Sequence, residues 1–292
     1  MKSMNLTVQQ GTNFMKKSCL ILICALTFIC TNQSIATNLS EELSTKIALL
    51  SQEKPFINFS LGLTAEEKNL LSLLEITKTT SYDYYGAFPE KKDISSFIQS
   101  LGNNKDISSS VATIISQKIQ DIKEAFNAEA VWVTIRSSHA VDDYSTPRWH
   151  TDGYMYSPMT ELQYKTAFVL KGASTLFCHL SDEGRIKFNV IQDELGQIVG
   201  QYIKEGQPKD ELYVIMAKYQ YQLAKLIQEY KDKQQASIEQ GSINYGSIFV
   251  LGDKNSAAIH SEPHVDSDRL FISVVAGTKD QIQENHDNQK NL

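Results

Sequence analysis

Apolar positions recur at helical spacing through the first half of this chain and switch to strand-like runs near Val131. Leu43, Ile47 and Leu50 share one helical face, and Thr64-Ala65-Glu66-Glu67 is a capping-box pattern leading into Leu70, Leu71, Leu73 and Leu74. A further helix is expected from Ser108, its buried stripe being Val111, Ile114, Ile115, Ile119, Ile122 and Phe126. Val131–Arg136 then has the β-branched and aromatic content of a strand. The same holds for Lys165–Leu170, Ser174–Leu180, Ile248–Leu251, Ala257–His260 and Arg269–Val275. Between them, Pro208 to about Gln235 carries Leu212, Ile215, Met216, Tyr219, Leu223, Leu226 and Ile227 at helical spacing. The pattern predicts an α+β chain. Helices fill residues 37–128, and a β core with a helical insertion at about 189–240 fills 129–277. A polar, flexible tail takes 278–292, and there is no internal repeat.

The first 36 residues read as a cleaved export signal. Met15-Lys16-Lys17 is a positive start, Cys19 to Cys30 is a short apolar run, and Ser34-Ile35-Ala36 offers small residues for cleavage. Met15 is the better start, and the run is short for a membrane span. The expected location is periplasmic or secreted. Removing Lys2, Lys16 and Lys17 takes the net charge from −6 to −9, which leaves nothing basic enough for nucleic acid. Three of the four cysteines leave with the leader, so Cys178 has no disulfide partner within the remaining chain. The expectation is a monomer acting on a small-molecule or protein substrate.

Arg148-Trp149-His150-Thr151-Asp152, read with His260 and Arg269, carries the chemistry. If Arg148–Asp152 is extended, residues 148, 150 and 152 share an inner face and Trp149 packs outside. Two imidazoles and a carboxylate take one face of an octahedral Fe(II) and leave three positions for chemistry. The guanidinium of Arg269 matches a carboxylate with paired hydrogen bonds. His264 would share a face with His260 and Glu262 in a regular strand, so it is the alternative third ligand. Pro263 disfavours a regular run there, and His260 directly follows the apolar segment.

The order Gly246–Asp253, Ala257–His260, Arg269–Val275 resembles the final strands of the Fe(II)/2-oxoglutarate-dependent oxygenases, a double-stranded β-helix (jelly-roll) superfamily. The stretch from Arg148 to Ala276 also resembles a smaller set of uncharacterised bacterial proteins with an R-x-H-x-D segment. Gly172–Thr175 and His260-Ser261-Glu262-Pro263 stand at the counterparts of their Gly-Thr strand and H-x-x-P segment. The resemblance implies that His150, Asp152 and His260 hold iron and that Arg269 pairs with the distal carboxylate of 2-oxoglutarate. Many relatives carry a small hydroxyl residue two positions after this Arg. Phe271 stands there instead, and Ser273 lies on the same strand face, beside the cosubstrate.

The remaining candidates have plainer readings. Arg148 is either a salt bridge at the barrel rim or a clamp for a substrate carboxylate. Tyr154 and Tyr156 continue the parity of Asp152 and would line the pocket. His139 reads as a surface residue, His286 as part of the tail, and Asp266 and Asp268 as an acidic turn. Cys178 and His179 are neighbours on a strand and face opposite ways, so Cys178 is a buried apolar residue rather than a nucleophile. The expected protein is an exported Fe(II)/2-oxoglutarate oxygenase. Its rivals are a non-catalytic jelly roll that binds a metal or ligand, and a cupin-like metalloenzyme that uses no 2-oxo acid.

Overall fold

Strand alternation organises the structure, a computed structural model that describes residues 39–51, 53–140, 146–152, 163–206, 209–252 and 255–290. Two antiparallel sheets are present. The larger takes β1 (Phe56–Ser60), β2 (Thr80–Gly86), β3 (Ala130–Ser138), β4 (Gln163–Lys171), β7 (Tyr245–Leu251) and β9 (Arg269–Gly277), in the order β1-β7-β4-β9-β3-β2. The smaller takes β5 (Leu176–Leu180), β6 (Ala236–Gln240) and β8 (Ile259–Ser261), in the order β6-β5-β8. His150 extends the smaller sheet by an antiparallel bridge to His260. From β3 onward the chain passes back and forth between the two sheets, with β5 and β6 as consecutive strands of the smaller one, which is the double-stranded β-helix, or jelly roll, expected.

Each strand of the large sheet separates two environments by parity. Val131, Val133, Ile135, Phe168, Leu170, Leu270, Ile272 and Val274 turn outward into a core completed by the N-terminal helices. These are α1 (Leu39–Ile47), α2 (Ala65–Ser72), α3 (Lys91–Ser100) and α4 (Lys105–Ala125). Trp132, Ala167, Phe249, Phe271 and Val275 turn inward and meet Phe177 and Ala258 of the small sheet side. The capping box at Thr64 and Glu67 is formed. The long helix starts earlier than Ser108, at Lys105, because the Asn104 side chain accepts from the Ile107 amide and caps it.

Three expectations are corrected. The N-terminal half is not wholly helical, since β1 and β2 flank the large sheet. β1 is a five-residue edge strand paired with β7, and β2 pairs with β3 through a Tyr-rich run too polar to stand out by alternation. The helical insertion begins earlier than 189 and comprises two helices, α5 (Asp182–Glu205) and α6 (Lys209–Asp232). Ser181 caps the first, and Gly206 closes it in the left-handed conformation. The stretch after Thr278 is helix α7 (Lys279–Lys290) rather than a frayed tail. Sparse apolar content hid it, yet Ile282 and Asn285 are buried and the His286 ring lies 4.0 Å from that of Tyr85. The export signal at 1–36 and Tyr154 and Tyr156 lie outside the described residues.

Candidate metal centre

His150, Asp152 and His260 come together, each offering a ligand atom within 4.8 Å of the others. The two histidines arrive from neighbouring extended segments, where the His150 amide donates to the His260 carbonyl at 3.0 Å and the reverse bond is 2.9 Å. Asp152 follows on the same face as His150, and its carbonyl accepts from the Gly252 amide at 3.1 Å. Nε2 of His150 is 3.4 Å from Oδ1 of Asp152, and Nε2 of His260 is 3.4 Å from Oδ2. His264 is exposed and outside this group.

The outer nitrogens set the chemistry of the inner ones. Nδ1 of His150 lies 2.7 Å from the Arg148 carbonyl, and Nδ1 of His260 lies 3.1 Å from the Ala258 carbonyl. A proton on each Nδ1 satisfies those carbonyls and leaves each Nε2 with a free lone pair, the arrangement a metal-ligating imidazole requires. Burial, followed by the charge of His150, pulls the pKa of His260 below its ordinary value and favours the neutral ring. Burial alone would raise the Asp152 carboxyl. The Lys165 ammonium, then the His260 and His150 rings that face the carboxylate, outweigh it and hold the pKa well below the usual range. Two neutral nitrogens and one ionised carboxylate are a donor set that fits ferrous iron.

The outward residues of the same segment anchor it. Trp149 is buried with Cys178, Phe188, Leu223, Ile227 and Ile259, between the small sheet and the α5–α6 hairpin. Thr151 also points away from the ligands, and its hydroxyl accepts from Nε2 of the buried Gln192 at 2.7 Å. The helical insertion is therefore a brace behind two ligands, a role not evident in the sequence.

Arg269 and Ser273 lie on the inward parity of β9 and are both buried. Nε of Arg269 donates to the Ala173 carbonyl at 2.8 Å, and the guanidinium lies 4.6 Å from the Phe271 ring centre. Its Nη2 has no hydrogen-bond partner among the described residues. Burial, then the Arg136 charge, lowers its pKa to about 9, still protonated at neutral pH. Gly172 makes this placement possible. It sits at φ +85°, and a Cβ there would fall 2.6 Å from the Asp268 carbonyl oxygen and 3.0 Å from the Arg269 Cα. Phe271 occupies the space beside the guanidinium where the resemblance leads one to expect a hydroxyl.

Arg148 forms an ion pair with Glu262, and Arg136 of β3 pairs with the same carboxylate. This agrees with the rim salt bridge and adds a second arginine. Sequence reading also missed Lys165, whose Nζ lies 2.8 Å from Oδ2 of Asp152. Both overlooked cations share one signal, a charged side chain at an inward position of a strand whose outward face is largely apolar. His139 pairs with Asp268 at 2.8 Å, and His179 lies against the Phe56 ring and Glu239. Cys178 points the other way, so the two form no catalytic pair.

No protein-family model and no curated protein matches this chain. Among solved structures it is similar to a prolyl-4-hydroxylase of Pseudomonas putida, with 8% identity over 82% of this chain and 98% of that one, at a TM-score of 0.38. It is similar to the Kdo hydroxylase KdoO, a non-heme Fe(II) alphaketoglutarate-dependent dioxygenase solved with alphaketoglutarate and Fe(III). There the identity is 11% over 81% of this chain and 84% of that one, at a TM-score of 0.43. A rice dioxygenase for auxin oxidation gives 8% over 81% and 78%, at 0.38. These likenesses are too distant to transfer a residue role or a substrate.

Proposed function

We propose that this chain is an Fe(II)/2-oxoglutarate-dependent oxygenase. The single observation that carries the reading is the His150–Asp152–His260 group inside a jelly roll, with both Nε2 atoms turned toward one carboxylate. His150, Asp152 and His260 would hold the iron. Arg269 would pair with the distal carboxylate of the cosubstrate through its unpartnered Nη2, with Ser273 on the same strand face. Bound iron, with the 2-oxo acid as co-reductant of O₂, would supply the oxidation of an unactivated C–H bond.

The chain's own groups do the rest. The Arg148 and Ala258 carbonyls hold the imidazole tautomers, and Gln192 and Trp149 fix the ligand segment from behind. Phe177 and Phe249, whose rings lie 6.0 and 4.8 Å from His260, shield one side of the centre from water. We also read residues 1–36 as an export signal that places the enzyme in the periplasm or outside the cell. N-terminal sequencing of the exported protein tests this, with Thr37 as the expected first residue.

The function is tested by anaerobic titration with Fe(II) and 2-oxoglutarate, following the visible band of the iron chelate. A band is expected in the parent protein and absent from His150→Ala and Arg269→Ala. Metal binding with no band would favour a cupin-like protein that uses no 2-oxo acid. No metal binding would remove the enzyme reading.

A further inference from the structure

Glu262 is gripped from both sheets of the barrel. Its carboxylate forms ion pairs with Arg148, on the ligand segment, and with Arg136, on β3 of the opposite sheet. The register places this cluster next to the metal group. His150 bridges His260 in antiparallel fashion, so Arg148 and Glu262 stand opposite one another two residues further on, with the same parity. Two residues of extended chain are ~7 Å.

We propose that Arg136 and Arg148 form the docking point for a carboxylate of the primary substrate, a point that the chain's own Glu262 occupies between turnovers. The proposal rests on the metal-centre reading, and it adds a substrate class to it. Three observations favour recognition over a purely structural tie. The arginine side chains are 43% and 41% exposed and Glu262 26%, so a solute can reach the guanidinia from outside. Partly exposed ion pairs add little to stability, so a structural tie alone gives weak reason for two guanidinia to converge on one carboxylate. A third guanidinium, Arg269, is 1% exposed and close enough for Arg136 to act on its charge. Cations gathered in this way attract an anion.

Planar guanidinia arriving from two directions grip a carboxylate more specifically than point charges would. A carboxylate held there places C–H bonds only a few bonds away beside the metal ligands. Glu262 keeps the guanidinia in position and opposes solutes that bring no negative charge of their own. It is a competitor that a carboxylate can replace and a neutral group cannot.

The test uses the full chain, with N-acetylglycine and its neutral analogue N-acetylglycinamide as probes. Binding is followed by saturation-transfer NMR, with and without saturating Co(II) and 2-oxoglutarate. The carboxylate is expected to bind about tenfold more tightly than the amide, the scale of one charge-assisted hydrogen bond. Arg148→Gln and Arg136→Gln should each remove that preference. Glu262→Gln should tighten the carboxylate, since it deletes the competitor. Equal binding of the two probes, or weakening by Glu262→Gln, overturns the proposal. So does loss of probe binding whenever 2-oxoglutarate is present, which would assign the arginines to the cosubstrate. Broadening of the probe methyl signal by Co(II) reports separately on the metal centre. A carboxylate preference without broadening would count against that centre and leave the anion site standing.

Discussion

Nζ of Lys165 and Oδ2 of Asp152 lie 2.8 Å apart, so a metal held by Asp152 shares its carboxylate with an ammonium. The two cations repel, and the site is enclosed enough for that repulsion to be felt. Lys165→Met is expected to tighten Co(II) binding by roughly tenfold, read by competition with a chelator. Weaker binding would instead make Lys165 a brace that orients the carboxylate.

Acidification should destabilise the metal-free protein through His260 first. Its folded pKa lies below the ordinary 6.5, so the unfolded chain takes up a proton at a pH where the folded chain does not. Stability therefore falls as the pH drops below about 6.5, by up to about 1.4 kcal/mol per unit. Asp152 acts in the same direction at lower pH. Its depressed carboxyl contributes stability above the unfolded value of about 3.9, and that is lost as the pH falls through the folded one. Denaturation midpoints measured from pH 8 to 5 should fall more steeply in the parent than in His260→Asn.

Gln192→Leu removes the hydrogen bond to the Thr151 hydroxyl and leaves that buried group unpaired. A loss of roughly 1–3 kcal/mol is expected in chemical denaturation. The Co(II) affinity should fall as well, because Thr151 lies between two ligands. A stability loss with unchanged metal affinity would confine Gln192 to packing.

Cys178 is buried, and burial raises its thiol to about 12. The native protein should not react with a thiol reagent at pH 8, whereas the denatured protein should react with one equivalent at that position. Rapid native labelling would show that the seam between the small sheet and the α5–α6 hairpin opens.

The ligands were legible because their spacing is local and their parity survives folding. His150 and Asp152 are two residues apart, and His260 directly follows the apolar run Ala257-Ala258-Ile259. Arg269 was legible for the same reason, at the head of the last strand. Lys165, Arg136 and Glu262 were not, since a lone charge in a strand shows its partner only when two sheets face one another. Edge strands β1 and β2 escaped notice because β1 is only five residues long and β2 is a polar, Tyr-rich run, so neither gives a clear apolar signal. Helix α7 escaped because two buried positions, Ile282 and Asn285, among many polar ones give no clear stripe.

The last strand among the described residues, β9, lies in the middle of the large sheet, between β4 and β3. Until it is in place, that sheet consists of two separate halves, β1-β7-β4 and β3-β2, each with an open inner edge. The mould for the ligand segment thus depends on a strand that follows all three ligand residues in the sequence. A nascent chain still lacking Arg269–Gly277 has an open large sheet, so the barrel around His150, Asp152 and His260 can close only once β9 has been added.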